Sequence, residues 1–238
     1  MESHTVFYNN QPTVLQIHAG PDTISDSVRK WSCFYEHWFL DYIYKNHKTQ
    51  NVIVDVGANI GNHSLFFATH LESKHIHAFE PFPKNIHCAT ENLSAFKERV
   101  TLHPYALSNQ AGIVQLYNSE EHNHGGYSLE QLSDGRSFPV CESIATRTLD
   151  SYNFENVTLV KIDVEGHENA VLQGARETLT RCKPVVILEN NYYYHPHVHP
   201  DPEPHAHLLE PLGFKKISAN VVDSSMDVWV PTESLLMC

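Results

Sequence analysis

At 238 residues the chain has room for one medium domain with a sizeable core. A formal net charge of −12, from 16 basic against 28 acidic residues, argues against a partner gripped through its phosphate backbone, so no nucleic acid is expected. No apolar run reaches membrane-span length and no basic-then-apolar leader opens the chain; the five cysteines (Cys33, Cys88, Cys141, Cys182, Cys238) form no CxxC pair, so a cytoplasmic protein with reduced thiols is expected.

Residues 1–30 are polar and irregular, and only Val14–Ile17 resembles a short strand. Trp31, Phe34, Tyr35, Trp38, Phe39, Tyr42 and Ile43 recur at helical spacing, which predicts one amphipathic helix over 31–44 packed on the core. Glu36 lies on that stretch, either as part of the packing or helping to close a pocket. Residues 1–50 read as an extension with a packing helix, and 51–238 as the main domain.

Val52-Ile53-Val54 is a β-branched run ending on Asp55, suited to the centre of a parallel sheet. Gly57 and Gly61 bracket a tight loop, after which Leu65, Phe66 and Ala68 resume at helical spacing. A second strand, 75–79, ends at Glu80-Pro81, and a helix is expected over 83–97 with proline at its start. Residues 100–106 form a third strand, 112–117 half of a hairpin, and 118–140 an irregular insertion. A strand over 158–163 and a helix over 168–179 follow, then a strand over 184–189 and a Tyr-, His- and Pro-rich loop over 190–207. Residues 213–217 and 227–230 close the chain as an antiparallel pair, giving one α/β domain with a mostly parallel seven-stranded sheet and helices on both faces.

In such a sheet ligands lie at the carboxyl ends of the strands, which here carry Asp55, Glu80, Asp163 and Glu189. Four acidic ends repel a polyphosphate and suit a cation rich in hydroxyls. The loop lacks the third glycine of G-x-G-x-x-G and the G-K-[ST] ending of a P-loop. S-adenosylmethionine fits: a sulfonium cation, a ribose diol for Glu80, and an amino-acid end over the glycine loop. Asp55 either braces that loop or touches the cofactor directly.

The segments V-D-V-G-A-N-I-G (54–61), A-F-E-P-F-P (78–83), A-L-S-N (106–109), T-L-D-S (148–151) and V-K-I-D-V-E-G-H-E (160–168) resemble the FkbM family of S-adenosylmethionine-dependent methyltransferases. The resemblance covers about 50–230 and implies a Rossmann-like class I sheet and methylation of a hydroxyl, often on a sugar, glycan or secondary metabolite. It implies that Gly57, Asn59 and Gly61, with Ala58 and Asn62, line the methionine and ribose side. Glu80, with Pro81, takes the ribose, and Ser108 or Asn109 lies near adenine. Asp163, Glu165 and His167 face the reacting centre, Asp163 bordering the cofactor as well.

An aliphatic hydroxyl must lose its proton near the transition state, and His167, flanked by Glu165 and Glu168, is the preferred base. The bland alternative is a histidine at a helix start. A competing arrangement resembles that of catechol-type enzymes, with Asp163, Glu189 and Asn190 holding Mg²⁺ or Mn²⁺. The loop histidines His195, His197, His199, His205 and His207 belong either to a solvated loop or to a sugar-binding rim, faced by His122, His124, Tyr127 and Ser128. The expected activity is O-methylation of a sugar or glycan by a monomer or homodimer. The alternatives are a small-metabolite or lipid-like acceptor, and an inactive cofactor-binding module.

Overall fold

The computed structural model describes residues 1–118, 127–128, 140–190, 203–217 and 226–236. The chain starts with more order than its polarity suggests: β1 (Glu2–Tyr8) and β2 (Gln11–Ile17) form an antiparallel hairpin. Its turn is Asn9-Asn10, with φ of 48° and 61°, a conformation that asparagine tolerates and that matches strand twist. This corrects the irregular reading of 1–30, as does α1 (Thr23–Trp31), where the Asp22 carboxylate caps by accepting the Ser25 N–H. The helix expected over 31–44 is also corrected. Ser32 leaves α1 in left-handed backbone, and α2 (His37–Asn46) starts only after Glu36, so the aromatic spacing is shared between two elements. Phe34, Phe39, Leu40 and Ile43 are buried, whereas Trp31 is 63% exposed.

The α/β core begins with β3 (Thr49–Val56), α3 (Asn62–His70), β4 (Glu72–Phe79), α4 (Pro83–Leu93) and β5 (Val100–His103). The third strand stops at His103 because Pro104 has no N–H for the ladder. A second sheet then intervenes, built from β6 (Ala106–Leu107), β7 (Gly112–Asn118), β8 (Tyr127–Ser128) and β9 (Val140–Arg147) in the order β6-β9-β7-β8. The chain returns with β10 (Val157–Ile162), α5 (Glu168–Gln173), α6 (Arg176–Cys182), β11 (Val185–Glu189), α7 (Ala206–Leu209), β12 (Phe214–Ile217) and β13 (Met226–Pro231). The helix expected over 168–179 divides at Gly174, where a Cβ would fall 2.0 Å from the Ser108 carbonyl oxygen. Asp150 of T-L-D-S then restarts it, accepting the N–H groups of Glu177 and Thr178.

The seven-stranded sheet runs β12-β13-β11-β10-β3-β4-β5, parallel from β11 to β5, with β13 antiparallel to both β11 and β12. The expected mostly parallel sheet with a closing hairpin is therefore present. One face, through Ile53, Ile76, Ala78, Leu159 and Ile187, packs on the N-terminal hairpin and on α2, α3 and α4. The other, through Val54, Val56, Val160, Ile162, Val186 and Leu188, packs on α5 and α6. Strand alternation places Asp55, Lys161 and Glu189 on the first face, and Glu80 follows β4 in the same phase.

Candidate active site

Strand order reverses between β3 and β10, so the crevice opens at their carboxyl ends. The loop after β3 is tightly determined. Gly57 has φ of 78°, and a Cβ there would lie 1.8 Å from the Asp163 carbonyl oxygen, so no other residue fits. The N–H groups of Gly57 and Ala58 both bond to the Phe79 carbonyl, which ties the loop to the end of β4. Asn59, at φ 52°, accepts the Ile60 N–H on its own side chain. Gly61, at φ 82°, turns the chain into α3.

Glu80 is 5% exposed and shapes the loop from the next strand. Its Oε2 accepts the Asn59 N–H at 2.8 Å and its Oε1 the Phe82 N–H at 2.9 Å. Burial pushes its pKa up to about 7, against the lowering pull of those hydrogen bonds. Oε1 also accepts from the Asn85 amide at 3.4 Å, so it is Oε2 that keeps a second lone pair for a ligand hydroxyl. Pro81 leads directly into Phe82, whose backbone Glu80 holds.

Lys161 gives the crevice a fully buried cation that motif reading passed over. Its Nζ lies 3.1 Å from Asp163 Oδ2 and 3.5 Å from Asp55 Oδ1, and donates to the Gly57 carbonyl at 3.2 Å. Desolvation alone would lower its pKa; the charges of Asp163, Asp55 and Glu36 outweigh it and the net direction is up. The visible signal was the lysine in V-K-I-D, a charged residue in an otherwise apolar strand. The Oδ2 of Asp55 accepts the Ser64 hydroxyl at 2.6 Å, so Asp55 braces both α3 and Lys161.

The turn after β10 is folded by Glu168, whose Oε1 accepts the Val164 and Gly166 N–H groups; burial pushes its pKa up to about 7. Glu165 sits in left-handed backbone at φ 53°, and Asp163, Glu165 and Glu189 bring carboxylate oxygens within 4.8 Å of one another. Glu189 has its pKa raised, first by burial and then by the charges of Asp163, Glu165, Glu168 and Glu36. Asn190, expected beside Asp163 and Glu189 in a metal set, donates from its buried Nδ2 to Asp227 Oδ2 at 2.9 Å. Glu165 is the third member of the trio.

Two other assignments change character in three dimensions. His167 Nε2 lies 2.9 Å from Ser108 Oγ, joining the expected base to the residue expected near adenine. Ser108 is 5% exposed and its N–H bonds to the Arg147 carbonyl, so this contact fastens the second sheet to the start of α5. Asn62 is 2% exposed, and its amide accepts the Tyr35 N–H and donates to the Tyr35 carbonyl. Its side chain therefore holds the turn before α2 against the glycine loop's helix.

His205, expected in a solvated loop or sugar rim, is buried; its Nε2 faces the Glu189 carbonyl oxygen at 3.1 Å and its Nδ1 faces Asn169 at 3.0 Å. His207 is exposed. His122, His124, His195, His197 and His199 lie outside the described residues. Cys33, Cys88 and Cys182 are free thiols.

This sheet order, glycine loop and strand-end acids define a Rossmann-like class I methyltransferase fold. The chain belongs to the FkbM methyltransferase family: residues 55–216 match the methyltransferase FkbM domain. It is 29% identical over 137 residues to the hexuronic acid methyltransferase AglP of Haloferax volcanii, covering 58% of this chain and 55% of that protein. It is 28% identical over 152 residues to the 2-O-methyltransferase NoeI of Sinorhizobium fredii, covering 57% and 62%. The chain thus spans little more than half the length of these relatives. The crystal structure of methyltransferase FkbM from Methylobacillus flagellatus shares the fold, with a TM-score of 0.53, 17% identity, and coverage of 76% of this chain and 44% of that one. Family membership implies S-adenosylmethionine as the methyl donor. No helix among the described residues is long and apolar enough to cross a membrane.

Proposed function

We propose that this protein is an S-adenosylmethionine-dependent O-methyltransferase acting on a hydroxyl of a sugar or glycan. The observation that carries the reading is the carboxylate trio Asp163, Glu165 and Glu189 beside the glycine loop, with the Lys161 ammonium 3.1 Å from Asp163. The excess negative charge suits a donor that brings positive charge, and the clustered carboxylate oxygens suit sugar hydroxyls, which they accept in pairs. Both relatives carry methyltransferase names, one for hexuronic acid and one for a 2-O position, which supports a sugar acceptor. The acidic crevice favours a neutral sugar over a uronate, whose own carboxylate it repels.

When bound, S-adenosylmethionine supplies an electrophilic methyl group on its sulfonium. The chain supplies alignment, worth roughly 7–11 kcal/mol in favourable models, and a base worth about 10²–10⁴ in rate. Glu189 is the base in this reading: its proton affinity is raised, and its Oε2 is buried without a hydrogen-bond partner among the described residues. Glu80 receives the ribose hydroxyls. His167 positions Ser108.

Incubation with methyl-labelled cofactor and a panel of neutral glycosides, uronates, phenols and long-chain alcohols tests the proposal. Label is expected on a neutral sugar oxygen. Transfer confined to phenols or long-chain alcohols overturns the sugar assignment, and cofactor binding without transfer to any acceptor overturns the catalytic one.

A further inference from the structure

Glu36 lies outside the stretch that matches the family, in the turn between α1 and α2. It precedes α2 in left-handed backbone (φ 54°), a conformation costing a non-glycine residue roughly 1–2 kcal/mol, and its side chain makes no capping hydrogen bond. Two contacts from the first turn of α3 hold the turn in place. The Asn62 amide clamps the backbone of Tyr35 at 3.0 and 3.2 Å, and His63 Nε2 stands 3.3 Å from Glu36 Oε2. The Glu36 and His63 side chains are 8% and 7% exposed. Their separation is within ion-pair range but lacks hydrogen-bond geometry, so both atoms are buried without a hydrogen-bond partner among the described residues. Asp55 Oδ1 and Glu189 Oε2 are in the same condition. Glu36 also lies close enough for its charge to act on Lys161 at the end of β10 and on Glu189 at the end of β11.

A buried carboxylate oxygen without a donor is costly, and a charged donor offsets that cost best. The occupant is identified by the helix that Glu36 leans on. The N-terminus of α3, directly after the glycine loop, favours a carboxylate. In an amino acid the ammonium is attached to the carbon bearing that carboxylate, so it falls beside the residues flanking the helix start. A sulfonium donates no hydrogen bond, whereas an ammonium donates three. Resting on the cofactor reading above, we propose that Glu36 Oε2 takes the α-ammonium of S-adenosylmethionine. The segment before the family domain is then part of the cofactor site, and Asn62 and His63 are positioning residues that hold Glu36 over it.

The test compares two nucleosides on the full chain by calorimetry. S-adenosylhomocysteine carries the amino-acid end; 5′-methylthioadenosine keeps the adenosine and sulfur but lacks it. Glu36→Gln, which removes the charge at constant shape, is expected to weaken S-adenosylhomocysteine at least about tenfold while 5′-methylthioadenosine stays within about twofold. If Glu36→Gln does not fold, Glu36→Asp, which withdraws the carboxylate by one methylene, is expected to show the same split. Equal losses for both nucleosides, or no loss for either, overturn the assignment. Slower turnover with both affinities kept places Glu36 on the acceptor and overturns it too. Wild-type protein that binds neither nucleoside overturns the cofactor reading itself, a result distinct from any change on substitution.

Discussion

The buried ammonium of Lys161 stands 3.1 Å from Asp163 Oδ2, at the point where the sheet reverses its strand order. One fixed cation thus holds together the end of β10 and, through Asp55 at 3.5 Å, the end of β3. Removing one partner of a buried ion pair leaves the other charge desolvated and costs about 3–5 kcal/mol. Lys161→Met is expected to lose that much stability in urea denaturation, and adding Asp55→Asn to recover part of it. No recovery in the double variant means that the two charges are not coupled.

The same ammonium bears on metal dependence. It already sets a positive charge 3.1 Å from Asp163, one of the residues expected to hold a metal. Turnover is therefore expected to survive EDTA. Inactivation by EDTA that Mg²⁺ or Mn²⁺ reverses overturns this expectation.

Glu189 and His167 divide the base assignment. Glu189→Gln is expected to lower kcat by at least about 100-fold with cofactor affinity nearly unchanged, and His167→Gln by less than about tenfold, since its Nε2 meets Ser108. Burial and then the neighbouring carboxylates raise the proton affinity of Glu189, and a cationic cofactor counters the carboxylates. Binding of S-adenosylmethionine should therefore release a proton, and neutral-sulfur S-adenosylhomocysteine should release less. Calorimetry in buffers of different ionisation enthalpy reads the difference; equal release for both removes Glu189 from the sulfonium's surroundings.

Glu80 links cofactor binding to pH. Its folded pKa is raised from 4.5 to about 7, so between those values the folded state holds more protons than the unfolded one. Its contribution to stability is fully present below about pH 4.5 and is lost as pH rises to about 7, a swing of at most roughly 3 kcal/mol. Glu80→Gln is expected to gain stability relative to wild type between pH 5 and 8, and to bind S-adenosylhomocysteine more weakly. A flat difference across that range means that Glu80 is already ionised at pH 5.

The opposite sign applies to the histidines on the far face of β4 and β5. His77 stacks on Phe154 with ring centroids 3.8 Å apart, and its Nδ1 lies 3.1 Å from His103 Nε2. Burial, then neighbouring charge, lowers His77 to about 3 and His103 to about 4. The unfolded chain binds more protons below about pH 6.5, so stability present above that pH is lost as it falls. His77→Phe keeps the stack and removes one titration. Its melting temperature should fall less than wild type's between pH 7 and 5, by on the order of 1 kcal/mol equivalent after allowing for partial exposure. Parallel losses would show that His77 is not the group titrating.

The strands were legible because burial on both faces of a parallel sheet demands short β-branched runs, and Val52–Val54, Thr158–Ile162 and Val185–Leu188 are such runs. The glycine loop was legible because Gly57 meets backbone that excludes any Cβ. The acid ends were legible because a strand stops where a charge can reach a crevice. The N-terminal hairpin carried a signal in Asn9-Asn10, weak because asparagine pairs occur in many turns.

What local pattern could not carry was the choice of partner for each buried polar group. The sequence alone determined a class I sheet, its glycine loop, its strand-end acids and the family they belong to. Tertiary structure decided that Lys161 lies between Asp55 and Asp163, that His167 meets Ser108, and that Glu36 meets His63. The physical reason is that periodicity is set by a residue's own neighbours along the chain, whereas a desolvated charge is satisfied by whichever distant segment the fold brings within about 3–4 Å.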